Sequence, residues 1–172
     1  MNRPLQSIMV TGGSGFIGTN FIRYLFSRPE FTGRIINLDK LTYAGNPMNL
    51  KDIEERYGDR AGSSAGAAGP SGSPSPDPRY IFKVADICDS SSVQQIIEKY
   101  HIDTIVNFAA ESHVDRSVYG PREFIDTNIN GTFALLEAAR KVWGPEAEGP
   151  LFHQVSTDEV FGSLGPEGFF TE

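Results

Sequence analysis

The sequence predicts an α/β fold: a doubly wound parallel sheet with helices on both faces. Three observations predict it. Short apolar runs of strand length alternate with stretches of helical period along the 172 residues. The first run ends in a glycine-rich turn that opens a helical stretch, and the second ends in an acid, Asp39. Right-handed crossovers between successive parallel strands then favour the doubly wound topology over other α/β arrangements.

Each element has its own signal. Ser7-Ile8-Met9-Val10, closed by Thr11-Gly12-Gly13, reads as a buried strand. From Gly15, the residues Phe16, Ile17, Phe21, Ile22, Leu25 and Phe26 recur at helical spacing. Arg34 to Asp39 is a second strand. Asn46 can cap a helix starting at Pro47, since proline is tolerated at the first helical position. Ala61 to Pro78 is Gly, Ser, Ala and Pro with almost nothing bulky and apolar, so it cannot offset its ordering entropy and reads as a flexible surface insert, not a domain boundary. A strand follows at Tyr80–Val84. Ser90 or Ser91 can cap a helix through Tyr100, with Val93, Ile96 and Ile97 inward. Asp103 to Phe108 is the fourth strand. Pro121 opens a long helical stretch whose apolar face is Phe124, Ile125, Ile129, Phe133, Leu136 and Ala139, and Gly144-Pro145 ends it. Leu151 to Val155 is the fifth strand. No repeat of 20 to 50 residues is visible, and residues 1–172 form one domain.

Composition narrows the function. Hydrophobic residues make up 39% of the chain, without an apolar run long enough for a membrane span. Met1 to Ser7 lacks the apolar core of a secretory signal. A net charge of −7 argues against a nucleic-acid surface, yet leaves room for a small anionic ligand held by backbone amides. Cys88 is the only cysteine, so no internal disulfide is expected and a reducing cytoplasm is the simplest compartment. It reads as a small buried apolar residue rather than a nucleophile. His101, His113 and His153 are not spaced as metal ligands, and no metal is expected. His101 reads as a surface residue at a helix end.

Five stretches carry chemistry, one after each strand. Gly12, Gly15 and Gly18 stand three apart between a strand and a helix. Such glycines let the backbone turn tightly and approach a pyrophosphate, and the helix N-terminus adds its positive end. In this setting a binding loop is favoured over a plain turn. Asp39 closes the second strand, where an acid accepts hydrogen bonds from adenosine ribose hydroxyls and repels an added phosphate, so the expected cofactor is NAD rather than NADP. Asp86-Ile87 follows the third strand and can reach an adenine edge, though a strand-end cap reads almost as well. Phe108-Ala109-Ala110 follows the fourth, where small residues allow close passage of a cofactor or simply pack the core. Ser156-Thr157-Asp158-Glu159-Val160-Phe161-Gly162 follows the fifth, and adjacent carboxylates beside a hydroxyl at that rim suggest proton transfer.

Taken together, Thr11–Gly18, Leu38–Asn46, Ala109–Ser117 and Ser156–Gly162 resemble the extended short-chain dehydrogenase/reductase family. Within it the likeness is to nucleotide-sugar dehydratases of the dTDP-sugar type. It covers the whole chain except the Ala61–Pro78 insert. The resemblance implies a Rossmann-type NAD-binding domain. Phe16, Ile17, Asp39, Lys40, Leu41, Thr42, Asp86, Ile87, Phe108, Ala109, Ala110 and Thr127 would line the NAD site. Ser112 and Thr157 would contact the nucleotide sugar, and Thr157, Asp158 and Glu159 would form the catalytic group. The implied reaction oxidises sugar C4, removes the C5 proton with Glu159, expels the C6 hydroxyl as water with a proton from Asp158, and returns hydride to C6. Homodimerisation through paired helices is a family trait, and Pro121–Trp143 would be one of them in the full-length form.

The chain also departs from the family pattern. Phe161 stands where tyrosine is usual. The family's Tyr-x-x-x-Lys is absent: Tyr24, Tyr43, Tyr57, Tyr80, Tyr100 and Tyr119 all lack a lysine four residues on. The resemblance implies a small C-terminal substrate domain beyond these residues, expected in a longer form of the chain. The expectation is therefore an N-terminal part, active only in a longer form. Alternatives are an inactive NAD-binding module or partner subunit, an epimerase, or a GDP-sugar dehydratase. Asp158-Glu159 argues against the epimerase, and Leu38–Asn46 against the GDP-sugar enzyme.

Overall fold

The computed structural model describes residues 5–59, 77–145, 147–163, 165 and 167–169. Its five strands are β1 (Ser7–Thr11), β2 (Arg34–Asp39), β3 (Tyr80–Val84), β4 (Thr104–Asn107) and β5 (Leu151–Gln154). All pair in parallel, in the order β3-β2-β1-β4-β5. The order reverses between β1 and β4, and that switch point is where a crevice opens at the carboxyl ends of the strands. The helices are α1 (Phe16–Ser27), α2 (Lys51–Tyr57), α3 (Ser90–Tyr100), α4 (Val114–Tyr119), α5 (Pro121–Phe124) and α6 (Thr132–Trp143). No helix among the described residues is long and apolar enough to cross a membrane.

The alternation of side chains along a strand sorts the core into two layers. Ile8 and Val10 of β1 join Ile22, Leu25, Ile35, Leu50, Ile53 and Val106 under α1 and α2. Met9, on the opposite face, joins Ile36, Leu38, Val93, Ile97, Ile105, Leu135 and Ala138 under α3 and α6. Each large side chain removed from water in this way stabilises the fold by about 1.5–3 kcal/mol.

Asn46 caps as its position predicts: its Oδ1 accepts from Met48 N at 3.0 Å and starts a 3₁₀ turn, Pro47–Leu50, that feeds α2. The cap of α3 differs from the expectation of Ser90 or Ser91. Asp89 holds that place, accepting from Ser92 N at 3.1 Å and Ser92 Oγ at 2.6 Å. The carboxylate gives each donor its own oxygen, Oδ1 to Ser92 N and Oδ2 to Ser92 Oγ. His101 ends α3 in a left-handed conformation, φ 50°, at the surface.

The stretch opened by Pro121 is not one uniform α-helix. Ile125–Gly131 winds as a π-helix between α5 and α6. The apolar face read from the spacing is also split, with Ala139 of it turned to the sheet. Gly131, Leu135, Ala138 and Ala139 are buried, whereas Ile125, Ile129, Phe133 and Leu136 point outward. In α1, Phe16 and Ile17 are exposed, whereas Ile22 and Leu25 are buried.

Most of the expected flexible insert at Ala61–Pro78 lies outside the described residues. Its last two, Asp77 and Pro78, lead into β3, and Asp77 pairs with Arg34. Arg79 anchors this entry. Its amide donates to Tyr57 O at 2.9 Å, and its guanidinium donates to Gly33 O and Phe31 O at 3.1 and 2.6 Å. The same guanidinium lies over the rings of Phe26, Phe31 and Tyr57.

Candidate functional site

A cleft of about 310 Å³ lies at the carboxyl ends of β1, β2, β3 and β4. Its floor is the glycine loop. Gly12 has φ +67°, and a Cβ placed on it would stand 2.8 Å from Ala109 N and 2.9 Å from Phe108 C, so only glycine lets the β1 and β4 loops meet. Gly15 N donates to Gly12 O at 3.1 Å, and Gly15 then starts α1 without any side-chain cap. The first amides of a twelve-residue helix thus face the cleft, which is the donor set an anionic group requires.

Asp39 braces this floor. Its Oδ2 accepts from Ser14 N at 2.9 Å and its Oδ1 from Leu41 N at 2.8 Å, while the side chain is buried. Ser14 is held from two further sides, by Asn46 N on its carbonyl at 3.0 Å and by Asn37 Nδ2 on its hydroxyl at 3.3 Å. Below the floor, Thr11, Asn107 and Gln154 form a polar ladder across β1, β4 and β5: the Thr11 hydroxyl bonds Asn107 Oδ1, and Asn107 Nδ2 donates to Gln154 Oε1 at 2.8 Å.

At one end of the cleft Lys40 Nζ lies 2.6 Å from Asp86 Oδ2. Asp86 Oδ1 accepts from Cys88 N at 2.9 Å. Burial alone would push the Asp86 carboxyl up, but Lys40 and the Cys88 amide outweigh it and hold it below the ordinary carboxylate range. The hydrogen bond to Asp86 in turn raises Lys40. Both groups are therefore charged at neutral pH. Cys88 corrects the expectation of a buried apolar residue. It is exposed, its thiol donates to Asp126 O at 3.1 Å, and partial burial together with Asp86 raises its pKa. Its loop position, with the side chain turned to the π-helical segment instead of the sheet, accounts for the difference.

At the other end, the loop after β4 carries Ala109, Ala110, Glu111 and Ser112 along the wall. Asn128, in the π-helical segment, grips Glu111 through both its backbone amide and its carbonyl. Thr157, Asp158 and Glu159 follow β5. Thr157 caps a 3₁₀ turn, Asp158–Phe161, accepting from Glu159 N at 3.4 Å, and the two carboxylates are exposed at the rim.

Of the residues expected to bind a cofactor, Gly12, Gly15, Phe16, Ile17, Gly18, Asp39, Lys40, Thr42, Asp86, Ile87, Phe108, Ala109, Ala110 and Thr127 all line this cleft, and so does Ser112. Leu41 does not line it: it contributes its amide to Asp39 and adopts φ 57°. Thr157, Asp158 and Glu159 stand outside the lining. Sequence reasoning missed Ala44, Gly45 and Glu111 on the wall, and the supports Asn37, Asn107 and Asn128. Lone asparagines carry no motif, so only the fold reveals them.

A family model described as GDP-mannose 4,6 dehydratase matches residues 68–172, well over half of the sequence. The chain belongs to the GDP-mannose 4,6 dehydratase family. Curated relatives of this family member carry a different nucleotide in their names. A dTDP-glucose 4,6-dehydratase of Salmonella typhimurium is 45% identical over 163 residues, covering 92% of this chain and 39% of the relative. One from Haemophilus influenzae is 42% identical over 173 residues, covering 98% of this chain and 44% of its own. The chain thus spans less than half the length of these relatives. Among solved structures, dTDP-glucose 4,6-dehydratase from Bacillus anthracis in complex with NAD superposes with a TM-score of 0.70 at 38% identity, over 97% of this chain and 42% of that one. The Streptomyces venezuelae enzyme of the same name, also with NAD bound, gives 0.72 at 36%, over 95% and 43%.

Proposed function

We propose that this chain is the NAD-binding part of a dTDP-glucose 4,6-dehydratase, converting dTDP-glucose to dTDP-4-keto-6-deoxyglucose and water in a longer form of the chain. The observation that carries the proposal is the cleft itself. A glycine-floored, uncapped helix N-terminus and a buried Asp39 lie together at the switch point of a parallel sheet. The relatives' names and their bound NAD support the same reading.

In this reading α1 and the glycine loop hold a pyrophosphate, and Asp39 accepts from ribose hydroxyls with its remaining lone pairs. The charge on Asp39 disfavours a 2′-phosphate. NAD, when bound, serves as the acceptor and donor of hydride. Ser112 and Thr157 orient the sugar. Glu159 takes the C5 proton as a base, and Asp158 delivers a proton to the C6 oxygen, so that water leaves. Their exposure at the rim of β5 suits groups that meet a substrate arriving from outside the sheet. The outward stripe Ile125, Ile129, Phe133 and Leu136 supports homodimerisation through α5 to α6.

Incubating the chain with NAD and dTDP-glucose, and following the sugar nucleotide by mass, tests the proposal. Tight NAD binding with at least tenfold weaker NADP binding is expected, with loss of one water only when the chain is extended. NAD binding without turnover in the extended form would favour an inactive cofactor-binding module. No NAD binding in any form would overturn the proposal.

A further inference from the structure

The loop after β2 doubles back across the cleft. Leu41 adopts φ 57°, a left-handed conformation that costs a leucine free energy, and the Asp39 carboxylate holds it there through the Leu41 amide. A turn follows, closed by Gly45 N on Thr42 O at 3.1 Å. This reversal carries Tyr43 to α4, where the Arg116 guanidinium lies 4.1 Å from the centre of its ring. The contact joins two elements 73 positions apart in sequence (116 − 43). Both side chains are largely exposed, so the contact has no core to stabilise.

Its position gives it another role. Tyr43 and Arg116 line a second cavity of about 590 Å³ that shares Lys40, Thr42, Asp86 and Glu111 with the main cleft. A ligand whose adenosine end lies between Asp39 and Asp86 therefore has this pair along its outer side. We propose that Tyr43 and Arg116 are a further part of the dinucleotide site, closing its adenosine end and setting how fast the dinucleotide leaves. This rests on the NAD reading given above. A guanidinium stacked on a ring must separate before the ligand can pass, and the strained turn at Leu41 keeps Tyr43 at its post. An enzyme that reduces and reoxidises one cofactor in each cycle gains from slow release.

The test preloads the chain with radiolabelled NAD, chases it with excess unlabelled NAD, and follows release. Tyr43→Ala and Arg116→Ala are each expected to speed release roughly three- to tenfold. The double variant is expected to go no faster than either single one, and Tyr43→Phe to release at the unaltered rate. Unchanged melting temperatures would show that folding is intact. Unchanged release in both alanine variants, or effects that simply multiply in the double variant, would overturn the proposal while leaving NAD binding in place. Faster release with Arg116→Ala alone would also overturn it, assigning Arg116 a direct ligand contact. Failure of the unaltered chain to bind NAD would remove the underlying reading and this inference together.

Discussion

Asn128 treats Glu111 as a neighbouring strand would: its Nδ2 donates to Glu111 O and its Oδ1 accepts from Glu111 N, each at 2.8 Å. The pairing fixes the loop that carries Ala110 and Ser112 along the cleft. It comes from a π-helical segment, whose wider turn sets Thr127 on the cleft wall and Asn128 under the loop in adjacent positions. Removing both bonds in Asn128→Ala is expected to cost about 1–2 kcal/mol and to weaken NAD binding several-fold. Asn128→Asp should do no better, because a carboxylate cannot donate to Glu111 O. Urea unfolding with parallel calorimetric titration checks both, and full affinity in Asn128→Asp would contradict the clamp.

The glycine loop allows stability and binding to be separated. Gly12→Ala meets a left-handed φ and backbone atoms at 2.8–2.9 Å, so a loss of roughly 2–4 kcal/mol is expected. Gly15 has φ −76°, and a Cβ there lies 3.3 Å from Gly12 O, so Gly15→Ala should change stability by less than about 1 kcal/mol. Since Gly15 lines the cleft, its variant should still lose NAD affinity. Thermal melts and titrations of the two variants side by side will show whether the effects divide in this way.

Alkaline stability should report on Tyr80. The residue is 3% exposed, its oxygen accepts from Asn37 Nδ2 at 2.9 Å, and burial pushes its pKa up to about 12. The unfolded chain releases this proton near pH 10, the folded chain only near 12. Between those values the unfolded state binds fewer protons, so stability is complete below pH 10 and falls as pH rises, by about 2–3 kcal/mol at most. Tyr80→Phe is expected to remove that slope at a cost of about 1 kcal/mol near neutrality. A slope that persists in Tyr80→Phe would place its origin elsewhere.

The outward stripe invites a direct experiment. Ile129 and Phe133 are 62% and 65% exposed, so Ile129→Asp with Phe133→Asp should leave monomer stability within about 0.5 kcal/mol per site. Sedimentation of the full-length form is expected to shift from dimer to monomer. Undiminished association would move the interface to another face.

That stripe also marks where the sequence was ambiguous. The long helical stretch carries two apolar faces, one of large residues and one of Gly131, Leu135, Ala138 and Ala139. Periodicity alone favours the bulkier one. The smaller face wins the sheet because the backbone approaches closely: a Cβ on Gly131 would lie 2.6 Å from Ile87 Cδ1. The π-helical turn also shifts the phase, and no local residue type announces it. By contrast the strands, Gly12, Asp39 and the Asn46 cap were legible, because each follows from local chain chemistry. The polar ladder Thr11–Asn107–Gln154 was not, since its members meet only when three strands pair in register.

The bond from Arg79 N to Tyr57 O has a practical consequence. It fastens the chain leaving α2 to the chain entering β3, at the amino ends of the strands and so on the opposite rim from the cleft. Whatever runs between those points is spliced into a closed seam. The entropy of closing a loop grows slowly, about 0.6 kcal/mol for each doubling of length. Both anchors of this connection lie at the rim opposite the cleft, so a reporter peptide grafted between them is expected to cost little stability.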